Sequence, residues 1–216
     1  MRIIALTPHP FAVSLVDPVA TSARRLGVRR GVLVVARTDD GREGLGEASP
    51  LPGPGATTPA ELAAAVTAVA GRALPGEGEA ILETAAALSL GGAGGRALAC
   101  ALDTALAELE ARGDGLPLAR WLTPSPRSPL AVNALVSDPE PATAAERARV
   151  AEGAGYGTVK LKVGLGPDTG AEVARITAVR TALAPTTRLR LDANGAWSPE
   201  AALEILHRLE PLDLEL

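Results

Sequence analysis

The sequence predicts two regions: an α+β domain over residues 1–115, then an α/β region of strand–helix repeats over residues 116–216. Three observations carry this reading. Strand-like segments come first and helices follow, the order of an α+β unit. Past residue 128, strands and helices alternate. Lys162 and Asp192 close successive strands about 30 residues apart, one step of a βα repeat.

The first region begins with "MRIIALTPHPFAVSL", which has β character. "GVLVVARTDDGREGLGEASPLPG" reads as two strands joined by the turn "TDDG" at Thr38–Gly41. A loop rich in Gly and Pro follows. Pro59 opens an alanine-rich helix that stops near Pro75. The glycine stretch "SLGGAGGRA" then precedes a second helix, "ALACALDTALAELEAR". There Leu98, Leu102, Leu106 and Leu109 form one apolar stripe, and Gly113 marks its end.

The second region starts after "GLPLARWLTPSPRSP". Strands are expected at 129–136, 158–164, 188–194 and 212–216. Helices are expected at 140–153, 168–183 and 198–209, the last with Ser198 as N-cap and Pro199 at the first position. Such alternation means parallel strands, in either a doubly wound sheet or a (β/α) barrel. No dinucleotide fingerprint or Walker loop follows any strand, which weakens a nucleotide-binding reading.

Composition excludes several function classes. A formal charge of −4 lacks the basic footprint of a nucleic-acid binder. Cys100 is the single cysteine, so no disulfide framework exists and a reducing compartment is expected. Pro8 and Pro10 break the short N-terminal apolar run, and no stretch is long enough to span a membrane; the expected location is the cytoplasm. Aromatics make up 2% of residues, so the core must rest on Ala, Val and Leu in close small-residue contacts. Nothing in the residues indicates an oligomeric state.

Side-chain alternation places Lys160 and Lys162 on one face of "TVKLKVG" and Arg190, Asp192 and Asn194 on one face of "RLRLDAN". Each signal alone has a plain reading: edge-strand protection for the lysines, a strand-ending turn for "DANG". Together, at the C-terminal ends of consecutive strands, they mark a site. Asp192 is a hard oxygen ligand suited to Mg²⁺. A lysine base must be neutral, and both a neighbouring ammonium and a divalent cation disfavour its charged form. The set suits removal of a proton α to a carboxylate, with the metal holding the enediolate oxygen.

These residues resemble the enolase superfamily, in its muconate-cycloisomerase-like branch. "KLKVG" resembles the K-x-K motif of that branch and "LDANGAW" its first metal-ligand motif. The resemblance implies an α+β capping domain followed by the first half of a (β/α)₇β TIM-like barrel, incomplete at the fourth strand. "GEASPLPG" (46–53), "CALDTALAEL" and "VNALVSDP" further resemble the o-succinylbenzoate synthase family. That likeness implies dehydration of 2-succinyl-6-hydroxy-2,4-cyclohexadiene-1-carboxylate in menaquinone biosynthesis. It makes Lys162 the base and later acid, Lys160 a support to it and to the substrate carboxylate, and Asp192 a ligand of Mg²⁺ or another divalent ion such as Mn²⁺, with Asn194 either behind that ligand or touching the small carboxylate substrate and Arg190 expected to contact the substrate. Dipeptide epimerases and N-acylamino-acid racemases share both motifs and are the alternative.

The resemblance also implies a second metal ligand just beyond "LDLEL". Alternation then puts Glu215 on the opposite face from that ligand. On this basis the 216 residues are expected to be a truncated form, unable by themselves to bind Mg²⁺ tightly or to turn over; a non-catalytic remnant is the reading from another class. Of the remaining residues, "RRLGVRR" (24–30) is expected in a solvated loop, Cys100 in the core, Trp197 in packing, and Asn133 either at substrate or capping a strand end. His9 and His207 receive no role.

Overall fold

The structure is a computed structural model that describes residues 2–20, 25–53, 55–88 and 90–215. It divides into two compact units: Met1–Ser14 with Val28–Ser128, and Leu15–Gly27 with Pro129–Leu216.

A three-stranded sheet has the order β1 (Ile3–Ala20), β2 (Arg25–Thr38), β3 (Glu43–Ala48); it lies in the first unit except for Leu15–Ala20 of β1 and Arg25–Gly27 of β2. β2 and β3 run antiparallel, with Val32 opposite Ala48 and Arg37 opposite Glu43. The expected turn closes them, Gly41 N–H donating to Thr38 O at 3.1 Å. β1 continues to Ala20 despite Pro8 and Pro10, because it is an edge strand, where a missing N–H costs no ladder bond. Residues Arg25–Arg30, expected in a loop, belong to β2 instead, and Arg24 lies outside the described residues. The guanidinium of Arg29 donates to the Ser49 and Pro50 carbonyls and so braces "GEASPLPG".

Four helices follow: α1 (Pro59–Ala73), α2 (Gly78–Ala87), α3 (Gly92–Gly113) and α4 (Leu118–Leu122). A capping box between Thr58 and Glu61 starts α1. The leucine stripe of α3 is buried as expected. α3 begins earlier than its apolar pattern suggests, taking in the glycine stretch. Gly94 lies against Thr57, and a Cβ there would stand 1.9 Å from its hydroxyl, so packing outweighs the poor helix propensity of glycine. The helix α2 was not expected. Ile81 is its one buried residue, too little periodicity to read. Cys100 is exposed, not in the core: it sits two positions from both Leu98 and Leu102, on the far side of the helix.

β3 presents Gly44, Gly46 and Ala48 inwards, and α3 closes directly onto them. A Cβ on Gly46 would lie 1.8 Å from Ala101 O, and one on Gly44 2.1 Å from Ala105 O. The close small-residue contact expected from the composition is therefore backbone against backbone.

The second unit holds a parallel sheet of order β4 (Ala134–Val136), β5 (Thr158–Lys162), β6 (Arg188–Asp192), with α5 (Pro141–Gly153), α6 (Thr169–Ala182) and α7 (Pro199–Leu209) between and after the strands. Side chains of Glu140, Asp168 and Ser198 cap these helices, which is why their starts were legible. Val159, Leu161 and Leu189 share one core with Ala144 and Ala148 of α5, Ile176 and Val179 of α6, and Ile205 and Leu209 of α7. All three helices thus cover one sheet face. A doubly wound sheet would divide them between two faces, so the barrel-type alternative is the one observed.

Two expected strands differ. Residues 129–133 are not strand, and Leu130 and Val132 are exposed. At the expected fourth strand a 3₁₀ turn over Glu210–Leu212 leads into Asp213 with φ 48°, residues 213–215 are not strand, and Leu216 lies outside the described residues. Pro211 supplies no N–H to a ladder. Glu215 N–H still donates to Leu189 O at 3.0 Å, a backbone hydrogen bond to β6. Among the described residues no helix is long and apolar enough to cross a membrane.

Candidate active site

The register of the parallel sheet brings the predicted residues together. Lys160 pairs with Arg190 and Lys162 with Asp192. Because alternation is shared across a parallel pair, all four side chains leave the sheet on the face opposite the helices.

Asp192 is the hub. Its Oδ2 lies 2.6 Å from Lys160 Nζ and 3.0 Å from Lys162 Nζ. Its Oδ1 accepts a hydrogen bond from the Asn194 amide. Lys162 is the more enclosed lysine, with its side chain 14% exposed against 37% for Lys160. Burial pushes the Asp192 carboxyl up, but the two ammonium groups outweigh it and hold the carboxyl below its ordinary range. The two like charges expected on one strand face also share a carboxylate, so each ammonium of this half-buried strand has a partner.

Backbone conformation delivers Asn194 to this position. Asn194 has φ 47° and Gly195 φ 76°, a left-handed turn at the end of β6 that asparagine and glycine tolerate best. Gly164, with φ 76°, lets the loop after β5 touch the loop after β6: a Cβ there would lie 2.3 Å from the Ala196 Cβ.

Arg190 is placed near the site but is already engaged. Its Nε and Nη2 donate to the two Glu215 oxygens at 2.7 and 3.1 Å, and Arg188 adds a third bond to Glu215. Glu215 therefore reaches the side chains on the polar face. The alternation argument for the opposite face assumed a strand that the described residues do not form. A cavity of about 520 Å³ opens beside β6, lined among others by Asn133, Lys160, Arg190, Asp192, Trp197 and Glu215. Asn133 lines it while donating to Ala134 O at 3.2 Å, so both of its expected roles are compatible. Trp197 also packs on the core beneath, as expected.

As a metal ligand, Asp192 has the right chemistry, since Mg²⁺ favours carboxylate oxygen and uses few protein ligands. No cluster of three or more His, Cys, Asp or Glu side chains that could complete a metal site occurs among the described residues.

Sequence reading missed one feature, a buried ion pair on α6. Glu172 and Arg175 are 2% and 1% exposed and 2.5 Å apart. The signal was present: Glu172 falls on the same helical stripe as Ile176 and Val179, where a charge is out of place.

Residues 5–122 match the family described as "Mandelate racemase / muconate lactonizing enzyme, N-terminal domain", and residues 142–216 match "Enolase C-terminal domain-like". The L-Ala-D/L-Glu epimerase of Bacillus subtilis is 31% identical over 99% of this chain and 58% of its own length. Its substrate-liganded structure superposes with a TM-score of 0.90 over 100% of this chain and 60% of that one. A dipeptide epimerase from Cytophaga hutchinsonii, solved with Mg and the dipeptide D-Ala-L-Val, is 28% identical with a TM-score of 0.88, over 100% of this chain and 58% of that one. The o-succinylbenzoate synthase of Thermobifida fusca is 39% identical over 44% of this chain and 29% of its own length. The chain thus spans about 60% of the length of the epimerase structures it matches. On the strength of both matches, the chain belongs to the mandelate racemase/muconate lactonizing enzyme family of the enolase superfamily.

Proposed function

We propose that this chain supplies the capping domain (residues 1–115) and the beginning of the barrel (116–216) of a Mg²⁺-dependent enzyme that moves a proton at the carbon α to a carboxylate. The observation that carries the reading is the convergence of Lys160 and Lys162 on one oxygen of Asp192, at the C-terminal end of adjacent parallel strands. Lys162, the more enclosed amine, is the base. Lys160 adds positive charge beside the substrate carboxylate. Asn194 holds the Asp192 carboxylate in orientation through Oδ1. Arg190 lines the cavity and offers a planar donor pair to a carboxylate, a role in which substrate would displace Glu215. A divalent ion at Asp192 would supply Lewis-acid stabilisation of the enediolate oxygen.

Epimerisation of a dipeptide is the favoured reaction, which reverses the order expected from the motifs. The epimerase likeness runs over nearly the whole chain, whereas the synthase likeness covers under half. Dehydration to o-succinylbenzoate stays as the second reading because that shorter stretch is the more similar one, at 39% identity.

The test is solvent-deuterium incorporation at the α-carbon of L-Ala-L-Glu, and in parallel dehydration of the cyclohexadiene substrate, by the purified full-length enzyme that contains these residues, with Mg²⁺. Lys162→Ala should lower the active reaction by about 10²- to 10⁴-fold, the usual contribution of a positioned general base. Undiminished exchange in that variant would remove Lys162 from the mechanism. Activity on the cyclohexadiene alone would favour the synthase.

A further inference from the structure

The ion pair on α6 has a consequence for the lysine it never touches by side chain. Arg175 Nη2 donates to Lys162 O at 2.7 Å, and Nη1 donates to Asp138 O at 3.1 Å, just past the end of β4. Glu172 fixes the guanidinium through Oε1, while its Oε2 accepts the N–H groups of Leu165 and Gly166 at 3.1 and 2.9 Å. One buried pair therefore grips the chain at Lys162 and again three and four residues later. Gly164 is held between these grips against Ala196.

Such a pair adds little net stability, because desolvation offsets the attraction between the charges. Its effect here is directional. Pairing of β4 with β5 stops at Leu161, so the Lys162 carbonyl takes its hydrogen bond from a side chain, and only a long, forked, charged side chain reaches two carbonyls from one helix position. The Lys162 carbonyl is bonded to the Cα that carries the lysine side chain. A shift or rotation of that peptide is amplified along four methylenes to Nζ.

We infer that Arg175, fixed by Glu172, is a positioning residue for Lys162: through the Lys162 carbonyl it sets where Nζ stands against Asp192. The effect on catalysis rests on the proposed role of Lys162 as base; the geometric effect does not.

The composition provides a clean readout. Lys160 and Lys162 are the only lysines in the chain, so lysine isotope-labelled at Cε gives two side-chain NMR signals, with Lys160 as internal control. Arg175→Lys keeps the charge but loses the fork. The expected result is a displaced or broadened Lys162 signal with the Lys160 signal close to its original position. With substrate, kcat should fall by about 100-fold at nearly unchanged KM, the scale of a misplacement of roughly 1 Å. If Arg175→Lys does not fold, the double variant Glu172→Leu/Arg175→Met restores an apolar contact and should displace the same signal. An unshifted Lys162 signal in either folded variant, or both lysine signals shifting equally, would overturn the inference. Absence of α-proton exchange in the unmutated full-length enzyme would instead overturn the proposed function, and the two signals of this chain would still decide the positioning role.

Discussion

The two sheets use the same alternation of side chains for opposite ends. In β3 every second residue is Gly or Ala, and the face they make is closed by the backbone of α3. In β5 and β6 the helix-facing positions are Val and Leu, while the other face carries two lysines, two arginines and an aspartate. The first sheet gains stability from close approach and carries no chemistry on that face. The second leaves one face polar, and its charges persist because each has a partner on the neighbouring strand or at the end of the chain segment that follows. The difference teaches that in this protein stability and chemistry are read from different positions of the same strand pattern.

Three measurements bear on this contrast, beyond the tests of Lys162 and Arg175. The largest stability effect is expected at the glycine face. Gly46→Val would drive a branched side chain into the Ala101 carbonyl and push α3 off the sheet, costing about 3 kcal/mol or more in urea unfolding. A loss under about 1 kcal/mol would show that the backbone contact is not what closes the first unit.

Acid should then weaken both units in the same way. Glu61 is held below the ordinary carboxyl range by the Thr58 backbone N–H and hydroxyl, and Glu140 by the Thr143 and Ala142 N–H groups and the Thr143 hydroxyl. A carboxyl whose folded value is depressed contributes stability above its unfolded value, about 4.3 for Glu, and that stability is lost as pH falls through the folded value. The urea midpoint should therefore hold from pH 6 to about 4.5 and decline below it. Replacing either glutamate by Gln should flatten the decline, and an unchanged slope in both variants would dismiss the caps as its source.

The smallest effect is expected at Cys100. Cys100→Ser, on the exposed side of α3, should change stability by less than about 0.5 kcal/mol. A large loss would mean that this side of the helix is covered.

Much of the second region was legible because its signals are local. Asp168, Ser198 and Pro199 mark helix starts within a residue of where they occur. Lys160, Lys162 and Asp192 declared themselves as charges in apolar strands, at one repeat spacing. The first region was less legible. α2 buries a single residue, and the start of α3 rests on glycines that only a tertiary contact makes helical. Around the site, the engagement of Arg190 by Glu215 was missed because it depends on a segment that turns instead of extending.

By itself, then, the sequence determined which residues share a strand face, where capped helices begin, and the family chemistry that a K-x-K strand and a D-x-N strand end imply. These follow from short-range rules, the two-residue period of a strand and the hydrogen-bonding of a cap. Only the tertiary structure decided that both ammonium groups meet one Asp192 oxygen, that the three helices cover a single sheet face, and that an ion pair on α6 holds the Lys162 carbonyl. Each of these joins residues from separate elements, and their distances are set by strand register and core packing that no local pattern encodes.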